Sequence, residues 1–144
     1  MDDYSRFTNV YFLATKDEAF NSYQLYEAWL STQYNVHIKS LCSDRGGEYL
    51  GEEFSSHLKK ARTMRKLTVH DTPEHNGVAE CLNQTLLEKV QAMLHKSGLP
   101  KFLWAEATAH AVYLKNQTWT HTLGDTTPYE ILNGRKPNVA NLQP

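Results

Sequence analysis

Two acidic residues, Asp44 and Glu80, have the setting of a divalent-metal site. Asp44 ends the alternating segment 35–44, and Glu80 lies near the start of an apolar-striped helix, with 35 residues between them. The carboxyl end of a strand is where open α/β sheets place their chemistry. Carboxylate oxygens suit Mg²⁺, and two such ions about 3.5–4 Å apart promote phosphoryl transfer. The chain has sixteen acidic residues, so spacing alone also allows a turn aspartate and a helix-start glutamate.

The composition is that of one ordinary domain of 144 residues, with 40% hydrophobic and 22% charged residues. A formal charge of −1 argues neither for nor against nucleic acid as a partner. Positive charge is nevertheless concentrated in segment 59–66, which reads KKARTMRK. This basic run, which includes Lys59 and Lys60, is either a solvated surface or a DNA contact.

The two cysteines, Cys42 and Cys81, have neither the C-x-x-C nor the paired-histidine spacing of a zinc site. A disulfide framework is therefore not expected, and reduced thiols in an intracellular setting are the default. The chain has no apolar run of membrane length, so we expect a soluble domain without a membrane partner.

Strand-like segments alternate with helix-like ones. Segment 5–14 is rich in aromatic and β-branched residues and predicts a strand, as do segments 35–44 and 65–72. We expect a capping box at 15–18 (TKDE) before the first helix. Segment 73–77 (PEHNG) is expected to be a loop, with Asn76 capping the helix that follows it.

Helices are predicted where apolar residues recur every three or four positions. A short helix is expected after residue 51, another over 99–117, and the strongest pattern follows residue 77. Its stripe consists of Leu82, Leu86, Val90, Met93 and Leu94. Glu80 lies off this stripe, so we expect it to face solvent or a cleft. The alternation predicts an α/β or mixed α+β class with helices on a sheet.

Several blocks of the sequence together resemble one known family. The blocks, in chain order, are DDYSRF, SDRGGEY, TPEHNGVAECLNQTL, LPKFLWAEATAHAVYLKNQ and TPYEILNGRKPN. They span nearly the whole chain and resemble the integrase catalytic core of copia-type LTR retrotransposons, in the retroviral integrase superfamily. This resemblance implies a ribonuclease H-like mixed sheet flanked by helices. It also implies DNA strand transfer at two aspartates and one glutamate.

The resemblance assigns roles to particular residues. Asp44 matches the second catalytic aspartate and Glu80 the catalytic glutamate, so both are expected to be catalytic and to bind Mg²⁺ or Mn²⁺. His75, Asn76 and Gly77 match the loop that helps position DNA in related cores.

Further DNA contacts are expected elsewhere on the chain. Gln84 lies on the catalytic helix, on a face expected to meet DNA, where relatives commonly carry arginine. Lys59 and Lys60, in the basic run, are also predicted DNA contacts.

The family's first catalytic aspartate lies upstream of the DDYSRF block, where this chain starts. We therefore expect an N-terminally truncated core that lacks the opening strand and binds its metal weakly. Asp2 and Asp3 match a hairpin and are expected to be turn residues. Residues 1–120 are interpreted as the partial core and 121–144 as a C-terminal surface segment of the same domain.

The expected function is DNA integration by Mg²⁺-dependent strand transfer in the parent family, with this copy inactive alone. Its expected partners are element DNA ends, target DNA and further copies of the chain, in the nucleus when the parent element is functional. The alternative is a non-catalytic remnant of a decayed element that binds nucleic acid or merely folds.

Overall fold

The structure, a computed structural model, describes residues 1–44, 46–67 and 73–140, without the side chains of residues 73–76. The strands are β1 (Ser40–Ser43) and β2 (Met64–Leu67). The α-helices are α1 (Ala19–Tyr34), α2 (Gly47–Leu50), α3 (Glu52–Ala61), α4 (Pro73–Ser97), α5 (Trp104–Gln117) and α6 (Pro128–Asn133). Single 3₁₀ turns cover Lys16–Glu18, Lys101–Leu103 and His121–Leu123.

The contacts divide the chain into two units. One, here called the sheet unit, is Tyr11–Val78, and the other, the helical unit, combines Met1–Val10 with Ala79–Pro144. The predicted division at residue 120 remains a prediction.

In the sheet unit, β1 and β2 pair in parallel, with Ser40 opposite Met64 and Ser43 opposite Leu67. A core of Tyr23, Phe54 and Leu58 joins α1 to α3. Parallel neighbours require a crossover connection, and α3 supplies it here. Asp44 follows β1 directly, as the alternating sequence predicts.

In the helical unit, the apolar stripe of α4 packs against α5. Leu86 and Val90 from α4 form a buried cluster with Ala111 and Val112 from α5. The remaining stripe residues, Leu82, Met93 and Leu94, pack against this cluster. The predicted stripe is therefore confirmed, and small alanines on α5 allow the close approach.

The predicted strand at 5–14 is not observed among the described residues. Instead, the Asn116 side chain binds the backbone N–H and carbonyl of Thr8, at 2.9 and 2.8 Å. Both polar backbone groups of Thr8 are thus hydrogen-bonded without a neighbouring strand. Asp2 forms a turn, as predicted, by accepting hydrogen bonds from the Ser5 amide and hydroxyl at 2.6 and 2.5 Å.

The predicted loop at 73–77 is also wrong, because α4 begins at Pro73 and includes these residues. Proline is favoured at the first helical position, where its missing N–H needs no partner. Asn76 is therefore inside the helix and does not cap it. Of the strand predicted over 65–72, β2 covers 65–67, and residues 68–72 lie outside the described part of the chain.

The capping box is present only in part. The Thr15 side chain makes no cap hydrogen bond, whereas the Glu18 carboxylate reaches back and accepts from the Ala14 amide at 3.0 Å. In the C-terminal segment, Thr127 caps α6 by accepting from the Glu130 amide at 3.1 Å. Pro128 in that segment is fully buried, so part of the predicted surface segment contributes to packing.

Candidate active site

Asp44 is positioned by the end of β1 and by the glycine turn after it. Its side chain is exposed, and its Oδ1 accepts a hydrogen bond from the Gly46 amide at 3.0 Å. This bond orients the carboxylate at the carboxyl end of a parallel strand. The structure thus gives Asp44 the position that the sequence predicts for a metal ligand.

A second carboxylate, that of Glu48, lies beside the same glycine. A Cβ atom placed on Gly46 would be only 2.7 Å from Glu48 Oε2, which shows how closely the carboxylate approaches this backbone. The pKa of Tyr49 is raised first by burial and then by the negative charges of Asp44 and Glu48. The loop after β1 therefore carries a local negative potential.

Glu48 is not among the residues that the sequence pattern singles out. The available signal was its spacing: Glu48 follows Asp44 by four residues, and the two intervening glycines allow the chain to turn back.

Glu80 lies on α4 within the helical unit. Its side chain is exposed, whereas Leu86 and Val90 on the stripe are buried. The predicted orientation of Glu80 away from the apolar stripe is therefore confirmed. Because Asp44 belongs to the sheet unit and Glu80 to the helical unit, their convergence stays a prediction.

The chemistry of the available donors can be compared with the metal that the resemblance implies. Asp44 and Glu80 offer hard carboxylate oxygens, which are suitable ligands for Mg²⁺. Within residues 1–44, 46–67 and 73–140, no group of three or more His, Cys, Asp or Glu side chains is arranged to hold a metal ion. Asp44 and Glu80 thus match Mg²⁺ in the type of their donor atoms, but they do not belong to a three-ligand group among the described residues.

The predicted DNA-positioning residues His75, Asn76 and Gly77 lie in the first turns of α4 and not in a loop. The side chains of His75 and Asn76 lie outside the described part of the chain. Gly77 is partly exposed, and no atom lies within 4 Å of where its Cβ would be.

The remaining predicted DNA contacts are exposed side chains on two helices. Gln84, on α4, donates to Glu88 Oε1 at 3.1 Å, one helical turn further along. Lys59 and Lys60 occupy the last turn of α3. A role of any of the three in binding DNA remains a prediction.

Known proteins resemble this chain both in sequence and in fold. The chain is 37% identical over 143 residues to the retrovirus-related Pol polyprotein of transposon TNT 1-94 from Nicotiana tabacum. It is 32% identical over 145 residues to that of transposon RE1 from Arabidopsis thaliana. Each match covers 99% of this chain but only 11% and 10% of the polyproteins.

Solved structures show the same fold at lower sequence identity. A chain of the simian T-cell lymphotropic virus intasome, in complex with PP2A regulatory subunit B56 gamma, matches with a TM-score of 0.64 at 20% identity. That match covers 92% of this chain and 43% of the viral chain. The HTLV-2 integrase catalytic core domain, in complex with magnesium and in a trimeric form, matches with a TM-score of 0.60 at 17% identity. It covers 82% of this chain and 70% of that domain.

The chain is homologous to a segment of retrovirus-related Pol polyproteins of plant transposons. Its mixed, helix-rich architecture with a small sheet is the ribonuclease H-like fold of retroviral integrase catalytic cores. No protein-family model matches the chain. Among the helices that the structure describes, none has both the length and the apolar character of a transmembrane span.

Proposed function

We propose that this integrase-like core serves DNA integration by Mg²⁺-dependent strand transfer, within the polyprotein of a copia-type retrotransposon. The observation that carries the proposal is the place of Asp44, at the carboxyl end of β1 in a fold shared with integrase catalytic cores. The proposed partners are the element's DNA ends, target DNA and further copies of the chain. The proposed place of action is the nucleus.

In this proposal Asp44 and Glu80 are the metal ligands contributed by the chain. Mg²⁺ bound by carboxylates supplies charge stabilisation for the attacking and leaving oxygens in phosphoryl transfer. The Gly46 amide, by donating to Asp44 Oδ1, holds one carboxylate oxygen in place. Glu80 is exposed and lies off the buried stripe of α4.

The isolated 144-residue segment is proposed to have little or no strand-transfer activity. It contains matches for two of the three carboxylates that the resemblance implies, Asp44 and Glu80. Mg²⁺ needs near-ideal octahedral geometry, so the loss of one of three carboxylate ligands would leave the ion poorly positioned.

Binding of Mn²⁺, a paramagnetic substitute for Mg²⁺, tests the metal site without requiring activity. We expect Mn²⁺ to broaden the backbone amide NMR signals near Asp44 and Glu80 at millimolar concentrations. Asp44→Asn should abolish this broadening, and Glu53→Gln, which removes an exposed carboxylate at the start of α3, should preserve it. Broadening that is unchanged in Asp44→Asn would refute Asp44 as a ligand.

A strand-transfer assay with the isolated segment tests the second part of the proposal. Labelled element-end DNA and a target duplex are incubated with the segment and Mg²⁺ or Mn²⁺, and joined products are counted. We expect products at the level of the protein-free control. Joining that Asp44→Asn abolishes would show that the segment is active alone and would contradict this part.

A second candidate function is nucleic-acid binding without catalysis. The observation that favours it is the cluster of exposed cations around the end of α3, which does not depend on a complete metal site. Binding of duplex DNA by the segment in the absence of divalent metal, with no joined products, is the outcome expected from this candidate.

A further inference from the structure

Two segments of the sheet unit concentrate positive charge. Segments 35–43 and 54–67 contain six of the fifteen Lys and Arg residues and none of the sixteen Asp and Glu residues. Four of the six cations lie close to the amino ends of β1 and β2 and are exposed. These four residues, here called the basic edge, are Lys39, Lys59, Lys60 and Arg62.

Backbone hydrogen bonds bring the basic edge together from sequence positions more than twenty residues apart. The Met64 amide donates to the Lys39 carbonyl at 2.9 Å, so Lys39 lies beside the first residue of β2. The Thr63 hydroxyl donates to the Ile38 carbonyl at 2.9 Å and fixes the same junction. Lys39 is therefore held next to the chain segment that follows Arg62.

The end of α3 completes the arrangement. Arg62 adopts a left-handed conformation with φ of 57°, and its amide donates to the Lys59 carbonyl at 3.1 Å. This turn ends α3 and leads directly into β2. The last turn of α3, which carries Lys59 and Lys60, is thereby joined to the amino edge of the sheet.

Stabilisation of the helix end does not account for this much charge. The carbonyl end of a helix carries about half a negative charge, so one cation in the last turn suffices to offset it. In the part of the chain that the structure describes, no carboxylate forms a salt bridge with any residue of the basic edge. Close to four positive charges are thus left for a partner.

The basic edge lies at the opposite end of the sheet from Asp44. Lys39 immediately precedes β1 and Asp44 immediately follows it. Lys39 and Asp44 are five residue steps apart, or about 16 Å at roughly 3.3 Å per residue. A ligand held by the basic edge is therefore separate from a phosphate bound at Asp44. Along duplex DNA the separation corresponds to about five base pairs, at 3.4 Å per base pair.

We propose that the basic edge binds the phosphate backbone of duplex DNA, at a contact distinct from the metal-binding carboxylates. This inference rests on the proposed function, which names DNA as the partner. It adds the basic edge as a surface that binds this DNA. Lysine and arginine that neutralise phosphates release counterions, so each contact contributes about 0.9 to the slope of log affinity against log salt. Sequence-independent, strongly salt-dependent binding is the expected behaviour.

The test is a salt series of duplex-DNA binding, measured by fluorescence anisotropy with the 144-residue chain and no divalent metal. The basic-edge variant combines Lys39→Gln, Lys59→Gln, Lys60→Gln and Arg62→Asn. Asparagine is chosen for position 62 because it tolerates the left-handed conformation. The control variant removes four exposed lysines elsewhere by Lys16→Gln, Lys96→Gln, Lys101→Gln and Lys136→Gln. Thermal melting verifies that both variants fold.

The basic-edge variant is expected to make the slope of log affinity against log salt shallower by about 3.6, since four contacts at about 0.9 each are lost. The control variant should change the slope by less than about 1, and Asp44→Asn should leave binding in place. Equal effects of the two four-site variants would overturn the basic edge alone. A wild-type chain that binds no DNA would overturn both this inference and DNA as a partner, whatever the Mn²⁺ experiment shows for Asp44.

Discussion

The side chain of Asn116 forms hydrogen bonds with both the amide and the carbonyl of Thr8. Its Oδ1 accepts from the Thr8 amide at 2.9 Å and its Nδ2 donates to the Thr8 carbonyl at 2.8 Å, across 108 positions of sequence. Both residues are buried, with exposed fractions of 6% for Asn116 and 5% for Thr8. A side-chain amide here provides the two hydrogen bonds that a paired strand would otherwise provide, and it attaches residues 5–10 to α5.

Replacing Asn116 by alanine is expected to destabilise the fold by about 2–4 kcal/mol. It leaves a buried amide and a buried carbonyl of Thr8 without partners, and each costs about 1–3 kcal/mol. Urea unfolding followed by circular dichroism measures the change. Asn83→Ala, on the exposed side of α4, is the control and should stay within about 0.5 kcal/mol of wild type. Similar small losses in both variants would show that the Asn116 bonds contribute little.

The buried side chain of Lys115 should make the free energy of unfolding depend on pH. Burial, and then the positive charges of Arg6 and Lys89, lower the pKa of Lys115 from 10.5 to about 8. Below pH 8 both native and unfolded chains hold this proton. Between pH 8 and 10.5 only the unfolded chain holds it, so the free energy of unfolding rises with pH. The rise is at most roughly 3 kcal/mol, at 1.36 kcal/mol per pKa unit.

The measurement is a set of urea unfolding curves between pH 7 and 10, for wild type and for Lys115→Met. The rise above pH 8 should be lost in Lys115→Met, which has no titrating group at this site. It should persist in Lys101→Met, which removes an exposed lysine. A wild-type stability that is flat or falls from pH 8 to 10 would contradict the lowered pKa.

Two salt bridges in the described part of the chain should differ in strength. His57 Nε2 and Glu27 Oε2 are 2.6 Å apart, and their side chains are only 25% and 22% exposed. The Asp3–Arg6 pair is 3.0 Å apart, but the Asp3 side chain is 98% exposed. Partial burial strengthens a charged hydrogen bond, whereas exposed pairs contribute little.

Double-mutant cycles compare the two pairs directly. We expect a coupling free energy of about 1 kcal/mol for Glu27→Gln with His57→Ala at pH 6, from a hydrogen bond to a charged group in a partly buried place. Asp3→Asn with Arg6→Gln should give no measurable coupling at the same pH. Equal coupling in the two cycles would mean that burial does not set their strength.

Gly77 distinguishes the helix seen in the structure from the loop expected from sequence. Within α4, and with no atom within 4 Å of its missing Cβ, Gly77→Ala should stabilise by about 0.5–1 kcal/mol. Gly134, which ends α6 with φ of 66°, is the opposite case, and Gly134→Ala should destabilise by about 1 kcal/mol. Thermal melting shows whether each variant is more or less stable than wild type. Destabilisation by Gly77→Ala would favour a loop at this position.

The elements that were predictable from sequence are those whose cause is local. The stripe of α4 repeats every three or four residues over several turns, and α3 matches its predicted helix. Asp44 lies at the end of an alternating segment, 35–44, of which Ser40–Ser43 form a strand. In each case the pattern of a few neighbouring residues is enough to predict the helix or the strand end.

The incorrect predictions have two kinds of cause. Some depend on residues far away in the chain, and others involve residue types that favour two different local structures. Residues 5–14 have strand-like composition, but nothing near them in sequence shows that Asn116 satisfies the Thr8 backbone. In segment 73–77, proline and glycine are typical of loops, yet proline also suits a first helical turn, and here the helix forms. The carboxylate of Glu48 beside Gly46 depends on the turn geometry, which composition alone does not determine.

The division into two units also affects the order in which the chain folds during synthesis. The sheet unit, Tyr11–Val78, is one continuous stretch that leaves the ribosome before most of the helical unit. The helical unit joins Met1–Val10 to residues from Ala79 onward, across the 68 residues of Tyr11–Val78. The backbone of Thr8 can therefore gain its two hydrogen bonds to Asn116 only after α5 has been synthesised.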